Sequence, residues 1–413
     1  MIRKYRDEYN ARFSEALYKE FLERLNEGYP DIPFRVAETP VFIPDDLADQ
    51  LIAAGEEIIR LIRTKDFKVL TDRAIPKHWA VPGEDEHPHF LTFDFGICRD
   101  DDGRLVPRLI EMQGFPSLYG FQSHLAKHFI DTFKIGEFAQ LTPYFSGLDE
   151  AAYIELFRSV VVGDHEPHEV AVMDVDALNQ KTAIDFHITA SYLGIKILAL
   201  SDIFKEGKAL YYLEDGRKVR LKRIYNRLIF DELEAEAKPV ADQARNNFDF
   251  GSGFDPREEL DIEWVTHPNW FYRISKYTMP FLNTAFVPET HFLDKMAAWP
   301  EDLENYVLKP LFSFAGMGVI IDVCLSDLTG IKDPENWILQ RKVVYDPVVQ
   351  APDGGVKAEI RMMYLWPDGG EPQLCINLAR LSRGKMIGVR YNQDFDWVGG
   401  TIGLMNQGTN NGN

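Results

Sequence analysis

The chain is poor in cysteine. Cys98, Cys324 and Cys375 are its three, far apart, with no CxxC pair and no zinc spacing, so no disulfide framework is implied. It lacks long apolar runs: none approaches the ~18 residues of a membrane span. The first residues, MIRKYRDEYNARFSEALYKEFLERL, are charged at helical period and do not read as a signal peptide. A soluble, cytoplasmic protein is the expectation. The chain is also short of positive charge, with 45 Lys and Arg against 65 Asp and Glu, a formal net charge of −20. That balance argues against nucleic acid or an anionic membrane as a partner, so a phosphate ligand would need a local basic island. Nucleophile signals are sparse: there is no GxSxG, and the histidines of EHPH (86–89) and DHEPH (164–168) sit in polar loops without HExxH spacing.

What is present suits large cores. The 413 residues are 45% hydrophobic, 13% aromatic and 27% charged, outside the disordered class and long enough for two or three domains. Residues 1–65 read as helices, with Phe13, Leu17, Phe21 and Leu25 on one face and Asp45 as an N-cap. HFLTFDFGICRDDDGRLVPRLIEMQGF predicts two strands joined at Asp100–Gly103, and FQSHLAKHFIDTF a helix. HEVAVMDVD, ALNQKTAIDFHITASYLG and IKILAL predict strand, helix and strand, a small α/β unit with a parallel pair. YYLEDGRKVRLKRIYNRL reads as a hairpin with an Asp-Gly turn. Residues 236–262 read as a linker, and 264 onward as strand-rich with one helix near 291–298. The expected units are 1–150, 151–245 and 246–405, with a disordered tail at 406–413.

Several stretches carry chemistry. In NYVLKPLFSFAGMGVIIDV, Lys309 ends a strand ahead of the small-residue loop Ser313–Gly318, with Gly316 and Gly318. Small residues let backbone N–H groups approach an anion while a lysine adds a point charge, which suits phosphate; the alternative is an ordinary hairpin with a surface lysine. NWILQRKVVYDPVV places Gln340, Arg341 and Lys342 where a strand edge can hold a purine, or where charges simply meet water. In KAEIRMMYLW, Arg361 follows an acidic residue inside a strand and must face water or a paired anion. Glu111 and Gln113, two apart on a strand, present oxygens on one side; with Asp94 of FDF they suit magnesium, a solvated polar edge being the alternative. Lys276 of ISKYTMP offers a second cation, and the apolar neighbours of Arg223 and Arg227 suggest partly buried, paired guanidinium groups.

The order of these stretches resembles the ATP-grasp superfamily over roughly residues 90–400, and within it the circularly permuted branch that includes glutathionylspermidine synthetase. The resemblance implies an α/β (α+β) ATP-grasp architecture with a small parallel pre-grasp unit, and ATP and Mg2+ as cofactors. By it, Lys276 and Lys309 hold the ATP phosphates, the Ser313–Gly318 loop closes over them, and the main chain at Gln340, Arg341 and Lys342 meets the adenine. Asp94, Glu111 and Gln113 hold magnesium, and Arg361 lies near the transferred phosphate. Two positions depart from the pattern: Gln113 replaces an asparagine, and Thr92 an arginine two residues before the aspartate. The run NLARLSRGKMIGVRYNQDFDWVGGTIG, with Arg380, Arg383 and the glycines at 399–403, is expected beside the active site as a substrate-facing lid. The implied activity is an ATP-dependent ligase joining a carboxylate to an amine through an acyl-phosphate. A phosphotransferase to a non-carboxylate acceptor and a nucleotide-binding protein without catalysis are the alternatives. The two substrates and the oligomeric state are not readable from the chain.

Overall fold

The structure is a computed structural model that describes all residues except 231–232, 234–237, 240–247, 250–252, 314–315, 385–391, 393–394 and 409–413. It is a mixed α/β protein built on several sheets. Two antiparallel sheets frame the site. The larger runs, from edge to edge, through Gly399–Thr401, Gln373–Ser382, Gly354–Leu365, Phe90–Arg99 and Leu105–Gln113, and Val349–Ala351 pairs onto its third strand. It joins residues from both sides of the boundary expected at 150. The smaller, here the hairpin sheet, runs through Thr290–Phe292, Trp337–Arg341, Tyr306–Pro310 and Ile320–Ile321.

Local sequence explains much of this. Phe90–Arg99 and Leu105–Gln113 turn at Asp100–Gly103, where the Gly103 N–H bonds to the Asp100 carbonyl and Asp100 Oδ1 accepts the Arg104 N–H. Such a side chain mimics a backbone turn partner. Helix Asp45–Ile62 buries Leu47, Leu51, Ile58 and Ile62 on one apolar stripe. It starts one residue earlier than expected: Pro44 is the N-cap and Asp45 already lies in the first turn, its Oδ1 accepting from Asn406.

The small α/β unit is larger than expected. Val170–Asp174 and Lys196–Ala199 pair in parallel, but Arg223–Asn226 and Glu263–Val265 extend the sheet, also in parallel. The hairpin around Asp215 and Gly216 therefore ends at Leu221, and the chain after Lys222 crosses into the parallel sheet. The intervening helix begins at Ala183, six residues later than expected, and closes at Gly194.

Three further expectations are corrected or bounded. The helix near 291–298 is the strand Thr290–Phe292 followed by a single 3-10 turn, Leu293–Lys295, because Thr290 and Phe292 are claimed by Gln340 and Ile338. The tail begins later than 406, since Gly403–Asn406 is a strand between Val41–Phe42 and Leu141–Thr142; 409–413 lie outside the described residues. Much of the expected 236–262 linker also lies outside them. Among the described residues no helix is long and apolar enough to cross a membrane.

Candidate active site

The two antiparallel sheets face each other across a cavity of about 190 Å³. The large sheet contributes Ile110, Glu111, Glu359 and Arg380; the hairpin sheet and its loops contribute Val307, Lys309, Gly316, Val319, Ile321 and 340–343. Lys276 and Tyr345 complete the lining.

Lys276 arrives by a close approach that only glycine permits. Gly114 follows directly on Gln113, and its N–H bonds to the Ile274 carbonyl at 3.0 Å. A Cβ at 114 would lie 2.6 Å from the Trp270 carbonyl oxygen and 2.8 Å from the Ile274 side chain. The segment carrying Lys276 is thereby pressed against the Glu111 strand. Lys276 Nζ donates to the Ser313 carbonyl at 2.9 Å and to Ser313 Oγ at 3.4 Å, and lies 3.9 Å from Glu111 Oε2. Burial lowers its pKa, with Glu111 opposing.

Lys309 ends the strand Tyr306–Pro310 and is 8% exposed. Its Nζ donates to the Ile110 carbonyl at 2.9 Å and to Gln340 Oε1 at 2.6 Å. The second bond follows from register: Gln340 stands opposite Val307, so Lys309 reaches it diagonally. Burial pulls the Lys309 pKa down to about 8, Lys276 adding to the effect and Glu111 opposing it. Both lysines thus have mainly neutral partners. Beyond Lys309, Gly316 and Gly318 take φ of 71° and 72°, a region costly for other residues, so the hairpin turns back at once toward Ile320. Residues 314 and 315 of the expected phosphate loop lie outside the described residues.

On the large sheet the charges pair with one another. Asp94 stands directly opposite Arg361 in the ladder, and Glu359 opposite Arg380. Arg361 Nε and Nη2 donate to the two Asp94 oxygens at 2.5 and 2.6 Å; Arg380 donates to Asp94 Oδ2 at 2.9 Å and to Glu359 Oε1 at 2.8 Å. Burial works against Asp94, yet the two guanidinium groups hold its carboxyl below the ordinary range. Burial pushes Glu359 up to about 7, with Asp94 and Glu111 adding to the shift and Arg380 opposing it. Tyr345 donates to Glu359 Oε2 at 3.2 Å.

These contacts sort the expected site residues. The structure brings Lys276, Lys309, Glu111, Gly316, Gln340, Arg341 and Lys342 to one cavity, with Ser313 at its edge. Asp94 is corrected: both oxygens are taken by arginines, so it does not face the cavity as an available ligand. Arg361 is corrected with it, its guanidinium being turned onto Asp94. Gln113 donates to Glu111 Oε1 at 3.1 Å and so aims that carboxylate.

The adenine expectation changes in detail. The Arg341 and Lys342 N–H groups already bond to the Glu289 and Asn305 carbonyls. Their charged ends turn to Asp302 and Asp322, and the buried Gln340 amide to Lys309 and Thr290. The side chains of Val307, Val319, Ile321 and Val343 form the apolar part of the cavity instead. Sequence reasoning missed Glu359 as a site residue, although it is the acidic neighbour in KAEIRMM. Arg380 was expected in a lid; it is a buried-strand residue that lines the cavity.

No family model and no curated protein sequence matches the chain. Among solved structures, its fold is similar to that of a glutathione synthetase-like effector from Globodera pallida, solved in apoform. The likeness has a TM-score of 0.57 and 10% identity, and covers 89% of this chain and 94% of that one.

Proposed function

We propose that the cavity between the two antiparallel sheets is an ATP site of the ATP-grasp kind and that the protein is an ATP-dependent carboxylate–amine ligase. One observation carries the reading: two buried lysines with mainly neutral partners, beneath a positive-φ glycine turn, face two carboxylates across one slot with an apolar end. Such lysines are short of counter-charge, and a polyphosphate supplies it. The likeness to a glutathione synthetase-like protein supports the architecture.

In this reading the purine lies among Val307, Val319, Ile321 and Val343. Lys309 and Lys276 bind the phosphates, with Ser313 and Gly316 beside them. Magnesium, when bound, offsets phosphate charge. Among the described residues no three His, Cys, Asp or Glu side chains are grouped for a metal. Glu111 and Glu359 nevertheless fit it, because magnesium needs only one or two carboxylates when phosphates and water complete its shell. Burial is the main cause of the raised Glu359 pKa, with Asp94 and Glu111 adding to it against the Arg380 ion pair.

A substrate carboxylate oxygen then bonds to the γ-phosphorus while the β–γ bridging bond breaks, its electron pair leaving with ADP. An amine adds to the acyl carbon, the C–O bond to phosphate breaks, and the amine gives its proton to solvent. Lys309, Lys276 and Arg380 stabilise the charge that shifts in the first step. Binding without turnover is the second reading, favoured by the locking of Asp94 between two arginines.

The test is Mg-ATP-dependent thermal stabilisation, followed by ADP release with hydroxylamine present. Hydroxylamine displaces phosphate from an acyl-phosphate and leaves a hydroxamate. A magnesium-dependent rise in melting temperature with acid-dependent hydroxamate supports ligation. ADP release without hydroxamate favours phosphate transfer elsewhere, a shift without ADP favours binding alone, and no shift ends the ATP reading.

A further inference from the structure

A second cavity, of about 560 Å³, shares Arg380 with the nucleotide cleft. Its volume lies within the roughly 300–1,000 Å³ of small-molecule sites. Its walls are strongly apolar: Leu22 of helix Glu15–Asn26, Phe34, Phe121 of helix Tyr119–Thr132, Leu378 and Leu381 of the large sheet, and Val398.

The polar features are few. In a chain of net charge −20, the lining holds no acidic residue among the described residues, and its described charged side chains are Arg35 and Arg380. Arg35 is occupied by the Val398 carbonyl, Glu38 and Asp396. Arg380 pairs with Asp94 and Glu359, remains 28% exposed and lines both cavities. Gln122 lines the chamber but is only 1% exposed, so its amide adds little polar surface there.

Resting on the ligase reading, we propose that this chamber seats the body of the carboxylate substrate, an apolar monocarboxylic acid. The carboxylate lies at Arg380, which lines both cavities, and one oxygen faces the γ-phosphate. A polar or zwitterionic body would bury charge against Leu22, Phe34 and Phe121, with no acidic side chain among the described lining residues to pair it.

The test uses the full chain with Mg-ATP and hydroxylamine, and decanoate, 3-hydroxydecanoate, glutamate and succinate as probes. Hydroxamate is expected from the two apolar acids with kcat/KM at least about tenfold above the polar pair. Leu22→Trp fills the chamber from a half-exposed helix position. It should cut the apolar-acid rate at least about tenfold while the Mg-ATP thermal shift, which also reports folding, stays as in wild type. Hydroxamate from glutamate or succinate alone overturns the substrate class and leaves the ligase reading intact. If Mg-ATP gives no shift, the ligase reading falls, and calorimetry of 3-hydroxydecanoate decides the chamber by itself. Binding lost in Leu22→Trp keeps an apolar-anion site there; no binding to wild type removes it.

Discussion

The two walls of the cleft use buried charge in opposite ways. On the large-sheet wall Asp94, Glu359, Arg361 and Arg380 answer one another, each cation with an anion within 3 Å. On the other wall Lys309 and Lys276 rest on carbonyl, amide and hydroxyl oxygens, with Glu111 3.9 Å from Lys276. A charge buried against its counter-ion away from the cavity, as Arg361 is on Asp94, holds the fold; one solvated by neutral dipoles, or paired but lining the cavity as Arg380 and Glu359 are, is available to a ligand. Burial alone does not separate the two kinds, since Arg361 and Lys309 are 5% and 8% exposed. The identity of the partner does.

The largest effect should come from breaking the self-paired wall. Asp94→Asn keeps the shape but leaves Arg361 and Arg380 facing a neutral amide in the core. Removing one partner of a buried ion pair costs about 3–5 kcal/mol. Urea unfolding should show a loss of that size, with Mg-ATP affinity reduced only as far as the fold loosens. A stable Asp94→Asn protein that no longer binds Mg-ATP would return Asp94 to the role of metal ligand.

The opposite wall should respond in the opposite way. Lys309→Met removes a cation that lacks a counter-ion, so Mg-ATP affinity should fall by about a hundredfold, roughly 2.7 kcal/mol. Stability at pH 7 should hold or rise. The folded-state pKa of Lys309, about 8, lies below its ordinary 10.5. Below pH 8 the lysine is charged in both states and the full burial penalty is present; as pH rises from 8 toward 10.5 the folded state sheds the proton first and the wild type gains. Any advantage of Lys309→Met in melting temperature should therefore shrink above pH 8. A destabilised variant with unchanged nucleotide affinity would reverse the comparison.

How much of this was legible in the sequence follows the same division. The hairpin carrying Lys309, the Phe90–Gln113 strand pair and the parallel strands near 170 and 196 are local patterns, set by alternation and by turn residues within a short window. Lys309 stood out because it ends an apolar run ahead of a small-residue loop, and Lys276 as a second cation in ISKYTMP. The pairing of Asp94 with Arg361 and Arg380 did not, because those partners lie 267 and 286 residues away in the chain. With only the carboxylate in view, Asp94 read as a free ligand, and the anion facing Arg361 read as the transferred phosphate. The stretch HFLDKMAAW shows the same limit: Leu, Lys, Met and Ala favour helix, but pairing of Thr290–Phe292 with Ile338–Gln340 overrides them.

The comparison also predicts a narrow pH range for nucleotide binding, a smaller effect than either substitution. Glu359, at about 7, must give up a proton to face magnesium, so Mg-ATP affinity should weaken as pH falls below 7. Lys309, at about 8, must take one up to face phosphate, so affinity should weaken as pH rises above 8. Each limb approaches about tenfold per pH unit. Calorimetry in buffers of different ionisation enthalpy should show proton release on binding on the acid side and uptake on the alkaline side. Lys309→Met should flatten the alkaline limb alone; if both limbs persist in that variant, Lys309 is not the group responsible.

The smallest effect sharpens the comparison most cheaply. Arg341 was expected at the adenine strand and does lie on the cleft rim, yet its guanidinium is exposed, 3.4 Å from Asp302 and over the Tyr306 ring. Its counter-ion is on the solvent side, where water screens the pair and holding a long side chain in place offsets most of the attraction. Arg341→Ala should therefore leave the Mg-ATP dissociation constant within about a factor of two of wild type, and the melting temperature unchanged. The same truncation at Lys309, whose partners are neutral, should not be tolerated. If Arg341→Ala weakens Mg-ATP as strongly as Lys309→Met, then proximity to the cavity rather than the character of the partner decides which cations serve the ligand.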